Sequence, residues 1–215
     1  MTGPQIPQNL NPINRFDSFV QEYLLDEHPV AAGEIQSEQI KDMDFSKVEI
    51  KSSVFKDCIF HNCYFENGSF VDVIFQSCDF SNSNFSGAYF ERCQFISCKC
   101  VGVNMCNTVI KQTTIEQSKF QYSLFDKTRI TAVLFDHTDL TEVSMAESKL
   151  KKFEAVGSIF RKNNFFKTML EAIDFTENEF SMPTVSSPPI ELKGVVVNLF
   201  QAADLIGMWG VVIKQ

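Results

Sequence analysis

Residues 53–95 read SVFKDCIFHNCYFENGSFVDVIFQSCDFSNSNFSGAYFERCQF. Phenylalanine falls at every fifth position: Phe55, Phe60, Phe65, Phe70, Phe75, Phe80, Phe85, Phe90 and Phe95. Two residues ahead of each stands a shorter side chain: Ser53, Cys58, Cys63, Gly68, Val73, Cys78, Ser83, Ala88 and Cys93. A helix repeats its apolar face about every 3.6 residues and a strand about every 2, so a strict period of five fits neither. It marks an internal repeat, and the repeat dictates the architecture.

The pattern extends well beyond this stretch. Every fifth residue from Ile40 to Phe180, 29 centres in all, is apolar and in phase, and these positions hold 17 of the 22 phenylalanines. Within each repeat the small position, its polar neighbour and the large position alternate in, out, in, which is a three-residue piece of strand. The two polar residues that follow must turn the chain. Repeating the step winds the backbone into a coil of short strands around a column of large side chains, each contributing roughly 1.5–3 kcal/mol when buried. No proline occurs between Pro29 and Pro183, which leaves the backbone N–H groups free for bonding between coils. Phe153 and Ala155 exchange the small and large positions, and local repacking is expected there.

Three segments follow. Residues 1–37 read as an N-terminal cap: Pro4, Pro7 and Pro12 keep the start extended, and Asn11-Pro12 reads as an N-cap and first-turn proline. Ile13, Phe16, Val20, Tyr23 and Leu24 then recur at helical spacing up to His28-Pro29, a helix suited to covering the open end of the array. Residues 38–182 are the coil. Residues 183–215 read as a linker through Pro183, Pro188 and Pro189, then a helix from Leu199 to Trp209 with Asn198 as N-cap. Leu199, Ala202, Leu205, Ile206 and Trp209 form its apolar stripe, Gly210 stops it, and Val211–Ile213 reads as a short strand.

The formal charge is −8, from 19 Lys and Arg against 27 Asp and Glu, which argues against a surface built to hold nucleic acid. No apolar run approaches the roughly 18 residues of a membrane span, and the polar, proline-rich start lacks a signal-peptide pattern. A soluble, cytoplasmic protein is expected. Five of the seven cysteines (Cys58, Cys63, Cys78, Cys93 and Cys98) occupy the small position and Cys100 a large one, so they read as buried reduced thiols, not as disulfides or metal ligands. No phosphate loop, HExxH or GxSxG motif is present; neither an enzyme nor a cofactor is expected.

Repeats such as Cys78-Asp79-Phe80-Ser81-Asn82, Ser83-Asn84-Phe85-Ser86-Gly87 and Thr138-Asp139-Leu140-Thr141-Glu142 resemble the pentapeptide-repeat proteins, whose consensus is A(D/N)LXX. The resemblance implies an all-β fold, a right-handed quadrilateral parallel β-helix with four repeats, twenty residues, per coil. At ~4.8 Å between strands, 29 repeats give about seven coils and a rod of roughly 34 Å. The tail, Leu192-Lys193-Gly194-Val195 and Phe200-Gln201-Ala202 through Leu205 to Gly210-Val211, resembles the end of the Qnr-type fluoroquinolone-resistance proteins, with Trp209 in place of their leucine. That resemblance implies a two-fold homodimer through Phe200, Leu205, Ile206, Met208 and Trp209. It also implies DNA gyrase and topoisomerase IV as partners, bound by DNA mimicry.

Granting twenty residues per coil, charge separates by face. The face centred on 55, 75, 95, 115, 135, 155 and 175 sums to −5 through Glu116, Asp136, Glu154, Asp174 and Glu177. The face centred on 50, 70, 90, 110, 130, 150 and 170 sums to +3 through Lys111, Arg129, Lys149, Lys151 and Lys152. A line of carboxylates on a rod of duplex width matches a cationic DNA groove, so the acidic face is the expected partner-binding surface. The alternative is a scaffold that binds another protein through the same rod. Direct DNA binding through the lysines is disfavoured by the net charge.

Overall fold

A computed structural model of the chain describes residues 2–25 and 28–214; Leu24 falls in the helix, but its side chain is outside the described residues. Successive coils pair in parallel at an offset of twenty residues: Phe55 opposite Phe75, Ile110 opposite Ile130, Ile130 opposite Leu150, and Phe160 opposite Phe180. The result is a parallel β-solenoid of about eight turns closed by a C-terminal helix. In-phase pairing begins earlier than Ile40, with Val30 opposite Ile50 and Ile35 opposite Phe55.

The interior is a column of rings. Phe60 stacks on Phe80 at 5.3 Å and Phe65 on Phe85 at 4.7 Å, while rings on neighbouring faces meet edge to face, as in Phe75 and Phe80 at 5.2 Å. The small position holds cysteines and hydroxyl residues that also serve the backbone. Ser83 Oγ donates to the Phe60 carbonyl and accepts from the Cys63 N–H at 3.0 Å, and Ser148 does the same for Phe125 and Thr128. Buried hydroxyls thereby remain paired. At the exchanged repeat Phe153 is buried and stacks near Phe135 at 5.3 Å, while Ala155 and Leu150 are left half-buried.

Each corner is made by a residue in the left-handed region, two places after a centre: Asn62, Asn67, Asp72, Ser77, Asn82 and onward to Ala172. No β-branched residue occupies any of these corners, because a branched Cβ clashes at positive φ. On two faces the corner belongs to a tight turn, closed for example by the Ser83 N–H bonding to the Phe80 carbonyl at 3.0 Å. There the Asp or Asn just before the centre accepts from the N–H two residues on: Asp79 from Ser81, Asn84 from Ser86, Asn104 from Cys106, Asp139 from Thr141. This bond explains the Asp/Asn preference in the repeat. On the other two faces that residue is of a non-Asx type in every coil before Asp174, and in five coils the chain runs across the corner as an eight-residue strand. Glu49–Lys56, Ser69–Gln76, Val109–Glu116, Arg129–Asp136 and Lys149–Val156 are such strands. They join the face carrying Lys149 to the face carrying Glu154.

The ends differ from expectation in instructive ways. Asn11-Pro12 does not start the helix: Asn11–Ile13 is a strand paired with Gly33–Ile35, and the helix spans Phe16–Leu25. Its buried Phe16 ring meets Phe45, Phe55 and Phe60 at 5.3–5.7 Å, extending the aromatic column by one place. At the other end the segment read as a linker continues the coil, with Thr184 opposite Asn164 and Val196 opposite Asp174. The last offset is 22 residues, so two extra residues entered the final turn and hid its periodicity. The helix spans Leu199–Gly207 with Asn198 and Gln201 in a capping box. Val211–Ile213 forms no strand in this chain. Among the described residues no helix is long and apolar enough to cross a membrane.

A corner substitution tests this backbone account. Asn82→Val places a branched side chain at a φ of 59° and is expected to cost about 1–3 kcal/mol, whereas Asn82→Gly should be close to neutral, both measured by urea unfolding.

Candidate functional site

The five carboxylates expected on one face do share it, but they do not form a single file. Glu116 lies opposite Asp136 in the column that follows each centre, and Glu154 and Asp174 lie in the column that precedes it. Glu177 stands at the corner beyond. Each lane is short: Leu134 precedes Glu154 in one, and Val156 follows Asp136 in the other. Glu154, Asp174 and Glu177 rim a depression of about 540 Å³ floored by Phe153, Ala155 and Val156. Ala155 stands where the other coils of this face hold Phe or Ile. Asp174 accepts from the Thr176 hydroxyl at 2.7 Å and the Thr176 N–H at 2.8 Å, and these bonds lower its pKa. Asp136 is engaged by His137 Nδ1, whose ring lies over Gly157.

The opposite end of the charge scale lies across the shared corner. Arg129 is opposite Lys149, and Lys151 continues the column of Lys111 and Thr131. Lower on this face the ions are neutralised: Arg92 holds Asp72 through two bonds of 2.7 and 2.8 Å and Glu91 through a third, and Tyr89 donates to Glu91. Asp72 also accepts the Gln5 N–H at 2.9 Å, which ties the N-terminal arm to the rod.

The C-terminal helix docks through side chains that the apolar stripe did not single out. Gln201 Nε2 donates to the carbonyls of Phe175 and Asn178 at 2.9 and 2.7 Å, its Oε1 accepts the Asn198 N–H, and Asn198 Nδ2 reaches the Thr176 carbonyl. The helix therefore seals the free edge of the last coil with amide groups. Leu205 is buried against its own coil, so it cannot belong to an outer contact surface as expected. Phe200 is 82 % exposed, and Ile206, Met208 and Trp209 are exposed beside it, together with Leu199 and Val212. A groove of about 710 Å³ runs between this helix and Arg161, Glu179 and Met182.

Where the two-residue insertion interrupts the ladder, Glu191 replaces a missing carbonyl. Its buried carboxylate accepts the Lys167 N–H at 2.8 Å, the Ser186 N–H at 3.0 Å and the Ser186 hydroxyl. Burial alone would raise its pKa, but these bonds outweigh it and hold the group below its ordinary value. Sequence reading gave no sign of this residue; its only trace is an acid inside an apolar Ile-Glu-Leu turn.

The thiols have no catalytic character. Burial pushes Cys93 up to about 12 and Cys100 well above the ordinary range, and Cys58, Cys63 and Cys78 point their Sγ at backbone carbonyls. Among the described residues no three His, Cys, Asp or Glu side chains converge to hold a metal.

A family profile described as a pentapeptide repeat region matches residues 68–145, and the coil in which they lie has the geometry of a pentapeptide-repeat β-helix. Among solved structures it is similar to trypsin-treated QnrB1, a plasmid-mediated fluoroquinolone resistance protein, with a TM-score of 0.67 and 20 % identity over 84 % of this chain and 90 % of that one. A second trypsin-treated QnrB1 structure gives a TM-score of 0.52 at 18 % identity, covering 85 % and 90 %. No curated protein matches the sequence. At this identity the likeness establishes the fold.

Two measurements check the chemistry. Native protein exposed to a thiol reagent is expected to label at half-exposed Cys106 alone, with the other six cysteines reacting only after denaturation. Glu191 has a depressed pKa in the fold, so its stabilisation is complete above the ordinary carboxylate value and is lost as pH falls through the lower folded value. Thermal melts from neutral pH into that acidic window should show a drop that Glu191→Gln reduces.

Proposed function

We propose that the protein is a non-catalytic binding rod that docks as a homodimer on the type II topoisomerases, DNA gyrase and topoisomerase IV, and shields them from fluoroquinolones. The observation that carries this reading is the segregation of Glu116, Asp136, Glu154, Asp174 and Glu177 on one face. The carboxylates stand at strand spacing, ~4.8 Å along the rod, and present a regular negative field to a groove built for DNA phosphates. The Qnr-like fold and tail support the choice of partner. The twenty-residue register runs without a projecting loop from Val30 to Thr184, so contact falls to the smooth faces and the N-terminal arm.

Dimerisation rests on the exposed apolar end. Leu199, Phe200, Ile206, Met208 and Trp209 form a patch too apolar for a lone cap, and the unpaired Val211–Ile213 beside it has free backbone groups for a partner copy. A two-fold contact there joins two acidic faces into a longer track. A scaffold for a different protein partner is the second reading, favoured by Leu134 and Val156, which take the places next to Glu154 and Asp136 in the two lanes and give the face a mixed, protein-like character.

Purified protein is expected to restore gyrase supercoiling in the presence of a fluoroquinolone. Reversal of Glu116, Asp136 and Glu154 to Lys should abolish protection with the melting curve retained, and Phe200→Glu with Ile206→Glu should convert the dimer to a monomer by light scattering. Protection that survives the triple reversal removes the acidic-face account; a monomeric wild-type protein removes the dimer.

A further inference from the structure

The basic patch on the neighbouring face is not used by the reading above. Arg129, Lys149, Lys151 and Lys152 are exposed, and no described carboxylate lies within ion-pairing distance of any of them. Their contrast with the same face one and two coils earlier is sharp. There Arg92 is held by Asp72 and Glu91, and Lys111 lies over the Tyr89 ring at 5.1 Å. The fold thus gives Arg92 carboxylates and Lys111 an aromatic partner, and gives the cations of the next two coils no carboxylate within ion-pairing distance. In a chain of net charge −8, a concentrated group of unneutralised cations raises the free energy of the isolated protein only slightly, and it offers a strong local field to an anionic partner.

The shape of the patch selects the partner. Glu171 follows Lys151 by twenty residues on the next coil of the same face, Glu147 sits two residues before Lys149, and Glu154 stands just across the corner from Lys152. The cations are therefore fenced by carboxylates at the top and on both sides. A long polyanion such as duplex DNA would run off the cations onto this fence, within the ~8 Å over which charges act at physiological salt. A short segment ends before reaching it. Spacing gives the rest: Lys149 and Lys151 are alternate residues of one strand, roughly 6.6 Å apart, and Arg129 and Lys149 are neighbours on adjacent strands at ~4.8 Å. An extended peptide repeats its same-side residues at that first distance.

We infer that the face around Ile130 and Leu150 is a docking surface for a short extended acidic peptide segment of a protein partner, with Asp or Glu at alternate positions. Lys149 and Lys151 take successive carboxylates, Arg129 offers a two-pronged donor to one of them, and Lys152 closes the corner. The inference stands apart from the topoisomerase reading, because it rests on the opposite charge and a different face.

Fluorescence anisotropy with a labelled hexapeptide of alternating Asp and Ser, an Asn-Ser control peptide and a short DNA duplex tests it on the full-length protein at low salt. Wild type is expected to bind the Asp peptide and not the Asn peptide. Lys149→Glu with Lys151→Glu should weaken binding at least about tenfold, while Lys47→Glu with Lys119→Glu, on the other two faces, should leave it within about twofold; circular dichroism confirms that both variants fold. Equal weakening by both variants, failure of wild type to bind the Asp peptide, or tighter binding of the duplex with the same loss in the first variant each overturns the inference.

Discussion

A parallel strand ladder and a stack of phenyl rings prefer nearly the same repeat distance, and this coincidence supports the rod. Strands lie ~4.8 Å apart; rings twenty residues apart stand 4.7–5.3 Å apart. Backbone bonding and aromatic contact are satisfied together, with no compromise between them, for as long as each coil contains twenty residues. That commensurability disfavours a change in coil length inside the column, and the two offsets of 22 residues come at its ends: between Asn11–Ile13 and Gly33–Ile35 in the first turn, and between Asp174 and Val196 in the last, where a buried carboxylate replaces the lost backbone acceptor.

The period of five made the coil, its core and its twenty-residue pairing legible, because each depends on which positions face inward. Features that depend on backbone conformation were less accessible. The left-handed corners show in sequence only as an absence of Val, Ile and Thr, and a weak exclusion is easily missed beside a strong repeat of Phe. The role of Asp79 or Asn84 in its own turn needs a local hydrogen bond that periodicity does not report. Thr184 and Val196 were hidden by the insertion, and Asn11-Pro12 carries a helix-start pattern that pairing with Gly33–Ile35 overrode.

The candidate surfaces divided along the same line. Assigning charges to faces needed only the coil length, so the carboxylates and lysines fell where expected. Resolving the acidic face into two lanes needed the column of each residue within its strand, and recognising Leu205 as buried needed the docking angle of the helix. Gln201, the residue that fastens that helix, is polar and so falls outside any apolar stripe.

A solenoid of this kind has no intrinsic last turn, since each coil exposes at its edge the same donors and acceptors that bound the one before. Such an edge is a template on which another chain can add. Phe16 at one end and Gln201 at the other occupy the positions an incoming coil would need, the first by filling the ring column and the second by taking the carbonyls of Phe175 and Asn178. The two ends of the coil thus set the boundary between a discrete rod and an open-ended fibre, and they do so with one aromatic ring and one amide.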